Sequence, residues 1–325
     1  MAEFLKRVST RVSTRMAAVS RSTLLLILIV ALGSFLRLFD LAEKSLWLDE
    51  IKSLEHAQSI HDLKSFFNPK TGNAHPPLYF LLLRGWLSFG DGEFYFRLLS
   101  VLFGVLCIPA TYFLGKQLFD TRTSLWAASM VAVSPFLLLH DREVRMYPML
   151  VFFLLLSLLC YVRALRGNRV RDWIGLTISM SVSVYTHYHA FLIFAAMWLF
   201  FIVRIKPYRS RLAPWLASSA VVTALFGFWL PGFLYHLERQ AIYTPPDLFP
   251  SNFGQWLLPI YIFFSYSLGQ TVMPWNLWVV APGAILFGGL CFWGLKSSAA
   301  SKEALPFFLL FLFSLLCSRY GSLPR

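Results

Sequence analysis

Long apolar runs recur along nearly the whole 325-residue chain, and they limit its possible folds more than any other feature. A bilayer-spanning helix needs roughly 20 predominantly apolar residues, and several runs approach that length. Only helices or a closed barrel satisfy the backbone in lipid, and these runs are continuous rather than alternating. With 57% hydrophobic and 14% charged residues, the sequence predicts an all-α integral membrane protein with one transmembrane domain over residues 1–325.

The formal net charge of +13 lies mainly in short gaps between the apolar runs. In a soluble protein such a charge would suggest nucleic-acid binding. Here the basic gaps alternate, as the positive-inside rule requires if the N-terminus is cytoplasmic. We therefore predict a multi-pass protein without a nucleic-acid partner. A transit peptide is an alternative for the Arg- and Ser-rich N-terminus, but the first apolar run follows at once, so a cytoplasmic tail is simpler.

About nine spans follow from the apolar runs and the basic gaps. They are residues 22–39, 98–115, 123–139, 148–165, 172–188, 190–203, 212–230, 276–294 and 304–319. On this topology, residues 40–97 form a long outer loop and residues 231–275 form a second long outer segment.

Two parts of the first outer loop are predicted to lie at the membrane surface. In residues 50–67, apolar side chains recur among charged ones with the spacing of an amphipathic helix. Residues 77–89 are apolar, but Arg84 interrupts them, and their length of about 20 Å is too short for a hydrocarbon core of roughly 30 Å. We expect this second segment to be interfacial or re-entrant.

Three polar sets fall on the predicted outer side. They are Asp49 with Glu50, the segment HPPLY at residues 75–79, and a charge-dense connection at residues 140–148. Each has a purely structural alternative: a solvated acidic pair, a helix start, or a loop ion network. Together they supply a general base, a second carboxylate and cations for an anionic leaving group. That inventory suits transfer of a sugar from a lipid phosphate to a hydroxyl.

Nothing in the sequence indicates a metal or cofactor. His187 and His189 would need a third ligand, so we interpret them as residues of the interfacial belt. The four cysteines lie in apolar runs without metal-ligand spacing. A glycine loop for a nucleotide is also missing. We expect neither a disulfide nor a metal site.

Four motifs in order resemble those of a known family. They are SLWLDE at residues 45–50, HPPLY at 75–79, RLLS at 97–100 leading to Phe103 and Gly104, and REVRMY at 142–147. From about residue 37 to 164 the chain resembles bacterial members of glycosyltransferase family 39, the dolichyl-phosphate-mannose protein mannosyltransferase-like group of the GT-C superfamily. Beyond about residue 200 the resemblance is only in hydropathy.

The resemblance implies a multi-span helical fold of the bacterial plasma membrane, with surface helices in the first outer loop. It implies Asp49 as catalytic base, with its neighbour Glu50 assisting in substrate binding at the catalytic site and Arg97 near the donor phosphate. The implied substrate-binding residues are His75, Arg97, Glu143, Arg145 and Tyr147. The expected donor is a polyprenyl-phosphate sugar, transferred with inversion and without an obligatory metal to a protein, lipid or glycan acceptor.

Two other functions remain open at this point. A secondary transporter would usually carry its ionisable residues near the bilayer midplane, often in repeated halves, and neither feature is evident here. A catalytically silent lipid-sugar-binding protein is the second alternative, because family members are commonly longer than this chain. The chain is then either a short variant or a truncated product.

Overall fold

The computed structural model describes residues 21–62 and 75–243, with side chains to residue 238, and the isolated positions 285 and 289. In the two long ranges the regular structure is helical, and no strand occurs there. The helices are α1 (Arg21–Leu38), α2 (Leu48–Ser59), α3 (Leu78–Leu87), α4 (Glu93–Leu118), α5 (Thr121–Val133), α6 (Pro135–Asp141), α7 (Tyr147–Gly167), α8 (Val170–Thr186), α9 (Ala190–Val203), α10 (Ile205–Tyr208), α11 (Leu212–Gly227) and α12 (Leu230–Tyr243). The predicted all-α fold class is confirmed.

Three described helices, α1, α4 and α7, are long and apolar enough to cross a membrane, and the number rises to five if each of two bent pairs is one span. The bent pairs are α5 with α6, at 54°, and α9 with the segment Ile205–Gly227, at 93°. The chain is therefore a multi-pass membrane protein. The nine-span topology stays a prediction, since residues 276–294 and 304–319 lie outside the described ranges.

The break between α5 and α6 creates an acceptor site for a buried arginine. Pro135 has no backbone N–H, so α5 cannot continue and its last carbonyls lose their helical donors. Arg37 of α1 donates from Nη2 to the Val131 carbonyl at 3.1 Å and from Nη1 to the Ala132 carbonyl at 2.9 Å. Its side chain is fully buried. A polar group at the end of α1 therefore fixes that helix against the kinked pair.

The two short helices α2 and α3 form a layer over the beginnings of α4 and α7. Tyr79, Phe80 and Leu83 of α3 are fully buried in one apolar cluster with residues of α2, α4 and the segment before α7. Arg84, which interrupts the apolar run, donates to the carbonyl of Gln58 at the end of α2 at 3.0 Å. With ten residues, α3 is about 15 Å long, half of what a span requires.

The bounds of these surface helices compare directly with the sequence expectation. The amphipathic segment predicted at residues 50–67 is helical as α2 to Ser59, and its residues 63–67 lie outside the described ranges. The second outer segment, predicted at residues 231–275, begins with α12, and its remainder also lies outside.

Candidate active site

Glu50 and Arg97 form a buried ion pair that joins α2 to the start of α4. Arg97 donates from Nε to Glu50 Oε1 and from Nη2 to Glu50 Oε2, each at 2.9 Å. Glu50 Oε1 also accepts the backbone N–H of Val144 at 3.0 Å, and Oε2 accepts that of Trp47 at 3.2 Å. Glu50 is 1% exposed. Its carboxylate therefore connects three segments and is fully engaged by protein donors.

Arg97 has no N–H left over after these contacts. Its Nη1 donates to the carbonyls of Leu41 and Lys44 at 2.8 and 2.7 Å, and Nη2 also reaches the Ser45 carbonyl at 3.2 Å. A guanidinium has five N–H donors, and all five face protein acceptors here. A contact between Arg97 and a donor phosphate would require one of these bonds to break.

Asp49 precedes Glu50 on α2 but faces a different environment. Successive helical residues differ in direction by about 100°, so one carboxylate points inward while its neighbour does not. The Asp49 side chain is half-buried. Its backbone carbonyl accepts from Ser53 Oγ at 2.8 Å, whereas within the described ranges no donor bonds to its carboxylate. The carboxylate is therefore available to a substrate hydroxyl.

Arg145 lies beside Asp49, and its hydrogen-bond partners differ in kind from those of Arg97. Its side chain is 6% exposed. Nη1 reaches the Asp49 carbonyl at 3.4 Å and Ser53 Oγ at 3.3 Å, and Nη2 reaches the Tyr147 hydroxyl at 3.3 Å. All three acceptors are neutral, and Nε is buried without a hydrogen-bond partner.

No carboxylate of the described ranges pairs with the Arg145 guanidinium within 4.0 Å. Burying a charge costs several kcal/mol of lost hydration, and without a counterion no ion pair offsets that cost. Such a group in a folded protein is a candidate for binding an anion. Arg145 is thus positioned to bind a negatively charged group that enters from outside the chain.

Aromatic and imidazole rings surround this guanidinium. Its Cζ lies 5.5 Å from the centroid of the Tyr147 ring. His75 and His187 have ring centroids 4.8 Å apart, and His187 lies 6.0 Å from Tyr147. Burial, and next the charge of Arg145, lowers the pKa of His75 from 6.5 to about 3. His75 is therefore neutral at physiological pH and adds no positive charge to the pocket.

Glu143 lies in the connection between α6 and α7, two residues before Arg145. Its Oε2 lies 3.3 Å from Nδ1 of His140, and its backbone carbonyl accepts the N–H of Arg145 at 2.8 Å. The side chain thus pairs with His140, while the main chain helps to orient Arg145. The structure brings together the sequence-predicted residues of α2, of the segment before α3 and of the connection before α7.

Contacts from the end of α1 support this connection, and the sequence motifs do not reveal them. Arg37 Nε donates to Asp141 Oδ2 at 2.8 Å, and both side chains are buried. Arg142 donates to the carbonyls of Phe39 and Asp40 at 2.6 and 2.9 Å. The end of α1 therefore holds residues 141 and 142 at two points. Ionisable residues inside apolar helices were the available signal, because burying them requires partners.

His187 is a further residue of the site, although its sequence position predicted a place in the interfacial belt. The structure corrects this interpretation: the residue is 7% exposed and contacts His75 and Tyr147 instead of facing outward. In the described ranges, no group of three or more His, Cys, Asp or Glu side chains could hold a metal ion.

Comparisons with known proteins agree with the motifs. Residues 74–231 match the family model described as dolichyl-phosphate-mannose-protein mannosyltransferase. This range contains His75, Arg97, Arg145 and His187, whereas Asp49 and Glu50 precede it. No match was found among curated protein sequences.

Three solved structures are similar in fold. The S. cerevisiae protein O-mannosyltransferase Pmt1-Pmt2 complex bound to the sugar donor has a TM-score of 0.54 and 17% identity, covering 67% of this chain and 34% of that one. The apo Archaeoglobus fulgidus oligosaccharyltransferase has a TM-score of 0.53 and 16% identity, with coverages of 94% and 39%. The oligosaccharyltransferase AglB of the same organism, in complex with an inhibitory peptide and a dolichol-phosphate, has 0.52 and 15%, with coverages of 90% and 46%.

The chain spans between a third and a half of the length of these three proteins. At identities of 15–17%, the similarity to these structures shows a common fold. Over residues 74–231 the predicted resemblance to the dolichyl-phosphate-mannose-protein mannosyltransferase group is confirmed, and the described helices have a GT-C-type fold.

Proposed function

We propose that this protein is a membrane glycosyltransferase that moves a sugar from a polyprenyl-phosphate donor to an acceptor hydroxyl. The observation that carries the proposal is Arg145, a buried guanidinium without a carboxylate partner in the described chain. It contacts the backbone carbonyl of Asp49, whose carboxylate is available. A cation that lacks a counterion fits the phosphate of the donor. A carboxylate that lacks a donor fits the acceptor hydroxyl.

The reaction is a single displacement at the anomeric carbon. The acceptor oxygen forms a bond to that carbon while its proton passes to a carboxylate oxygen of Asp49. The bond between the anomeric carbon and the phosphate oxygen breaks, and the electron pair stays on the phosphate. Because attack and departure occur on opposite faces, the anomeric configuration inverts. The products are the glycosylated acceptor and the polyprenyl phosphate.

Arg145 stabilises the charge that develops on the departing phosphate. Its immobile donors are already desolvated, so little reorganisation is needed during the reaction. Tyr147 holds the guanidinium through its hydroxyl and ring. His75 lies next to His187 in the same pocket, and neutral His75 adds a polar surface without charge.

Glu50 and Arg97 serve this chemistry indirectly. Their ion pair and the carbonyl contacts of Arg97 fix residues 41–50, which include Asp49. The Val144 N–H on Glu50 fixes the residue before Arg145 to the same carboxylate. The pair thus sets the distance between base and cation.

The site is proposed to face the extracytoplasmic side of a bacterial plasma membrane, with the N-terminus in the cytoplasm. The support is the alternation of basic gaps along the sequence. The similar solved structures include one bound to the sugar donor and one in complex with an inhibitory peptide and a dolichol-phosphate. They make a lipid-phosphate donor and a protein acceptor reasonable first substrates, next to lipid and glycan acceptors.

The test is sugar transfer by purified protein in lipid nanodiscs. Labelled polyprenyl-phosphate sugars are supplied with hydroxyl peptides and a membrane extract, and released polyprenyl phosphate is quantified. Asp49→Asn is expected to bind donor and to lose transfer by roughly 10²- to 10⁴-fold, the usual contribution of a general base. The matched control Asp91→Asn changes an exposed carboxylate of the α3–α4 connection and should transfer normally. Full activity of Asp49→Asn would refute the assignment.

A further inference from the structure

The break between α8 and α9 places a histidine inside the Arg145 pocket. Helix α8 ends at Thr186 and α9 begins at Ala190, leaving residues 187–189 between them. His187 has an extended backbone, with φ −160° and ψ 139°, and its side chain is 7% exposed. The turn therefore directs an imidazole inward at a level where both helices have ended.

Two contacts determine which nitrogen of His187 carries its proton. The backbone N–H of His189 donates to Nδ1 of His187 at 3.1 Å. An amide nitrogen can only donate, so Nδ1 of His187 must be the unprotonated acceptor. Nδ1 of His189 lies 2.9 Å from the same atom and must then donate to it as well. The neutral His187 ring is left with its proton on Nε2.

The same contacts keep His187 neutral. A proton on Nδ1 would oppose both the amide N–H and the ring N–H of His189. The positive charge of Arg145 disfavours a second cation in the same pocket. His187 is therefore a neutral donor of fixed tautomer, comparable to a metal-ligating histidine whose outer hydrogen bond sets its tautomer.

The ring of His187 belongs to the pocket where a donor phosphate would lie. It packs 4.8 Å from His75 and 6.0 Å from Tyr147, and the hydroxyl of Tyr147 accepts from Arg145. A phosphate monoanion offers two non-bridging oxygens. Arg145 can engage one of them, and a neutral N–H is suited to the other because it adds a bond without adding charge.

Building on the proposed function, we infer that His187 donates its Nε2–H to a non-bridging oxygen of the donor phosphate. His189 is a positioning residue that acts through His187 by fixing its tautomer. No bond is made or broken in this step; the hydrogen bond forms on donor binding and strengthens as negative charge grows on the departing phosphate.

The test is binding of farnesyl phosphate to the full-length protein in nanodiscs, with farnesol as the ligand that lacks the phosphate. His187→Phe removes the donor but keeps an aromatic ring, and should weaken farnesyl phosphate binding roughly ten- to hundredfold, the range for a hydrogen bond to a charged group. His187→Gln places an N–H near the position of Nε2 and should bind within roughly threefold of wild type. Farnesol binding should be equal in all three proteins, which separates the lost donor from a damaged pocket.

The role of His189 has its own spectroscopic readout. In protein with ¹⁵N-labelled histidine, His187 should show a protonated Nε2 and an unprotonated Nδ1. His189→Asn retains a side-chain N–H near Nδ1 and should preserve this pattern. His189→Phe keeps the backbone N–H on Nδ1 but loses the ring donor, so a minor population protonated on Nδ1 should appear and farnesyl phosphate binding should weaken.

The outcomes separate the two proposals. If wild-type protein binds farnesyl phosphate no better than farnesol, the proposed function fails and this inference with it. If wild-type protein prefers the phosphate and Arg145→Gln abolishes the preference, but His187→Phe binds like wild type, only the inference is overturned. A protonated Nδ1 on His187 would also overturn it.

Discussion

Glu50→Gln is the substitution that best separates structural support from chemistry in the acidic pair. Glu50 accepts four hydrogen bonds, two from Arg97 and one each from the backbone of Val144 and Trp47. Glutamine keeps the shape but removes the charge, and it turns one acceptor into an NH₂ group that faces a donor. Losing one partner of a buried ion pair costs about 3–5 kcal/mol. We expect the free energy of unfolding to fall by about that amount.

Asp49→Asn is the matched substitution one residue earlier. The Asp49 carboxylate is half-buried and has no donor in the described chain. Its contribution to folding is its position in the first turn of α2, where a negative charge contributes about 0.3–1 kcal/mol through the helix dipole. We expect a small loss of stability together with a large loss of transfer.

Both variants can be compared in one pair of assays. Denaturant titration in detergent micelles, followed by tryptophan fluorescence, gives the free energies of unfolding. Initial rates of sugar transfer, normalised to folded protein, give the catalytic effect. A Glu50→Gln protein as stable as wild type but without transfer, beside a fully active Asp49→Asn protein, would refute this division of roles.

Three further predictions concern the surroundings of the site. The pKa of His75 is about 3 in the folded protein, against an ordinary value of 6.5, so at this residue the unfolded chain binds more protons between these values. The contribution of His75 to stability should be constant above pH 6.5 and fall toward pH 3, and His75→Gln should reduce that part of the slope in pH-dependent titrations. Gly104→Ala places a Cβ 2.9 Å from that of Asp141 and should lower the free energy of unfolding by about 1–3 kcal/mol. In the control Gly85→Ala the new Cβ meets nothing within 4 Å, so the same titration should show no change or a gain of about 0.5–1 kcal/mol. A cysteine at the exposed position Glu55 of α2, in a cysteine-free background, should react with an impermeant maleimide from the extracytoplasmic side, and labelling only from the cytoplasm would contradict the proposed orientation.

The sequence predicted the helical membrane fold and the grouping of the motif residues because both rest on local patterns. Apolar run length identifies membrane helices, and the run at residues 77–89, which Arg84 interrupts, was separated from them because it is too short. Asp49, His75 and Arg145 lie in motifs whose spacing along the chain indicated one site. The structure then places Asp49 and Arg145 in contact through the Asp49 carbonyl.

Three features could not be predicted because they depend on contacts distant in sequence. The different environments of Asp49 and Glu50 follow from the direction in which α2 packs, which the sequence does not encode locally. Arg37 and Asp141 are 104 residues apart. Helix α8 ends at Thr186, one residue before His187, and the turn that follows directs His187 into the pocket. Hydropathy alone does not distinguish an inward histidine from an interfacial one.

The most direct test of the central claim measures single-turnover sugar transfer with and without the Arg145 guanidinium. Wild type, Arg145→Gln and the control Lys52→Gln, which removes an exposed charge on α2, are compared with a panel of polyprenyl-phosphate sugars. Wild type and Lys52→Gln should transfer at similar rates, and Arg145→Gln should be slower by roughly 10²- to 10³-fold, the loss typical of one preorganised donor to a developing anion. Equal rates for Arg145→Gln and wild type would contradict the account.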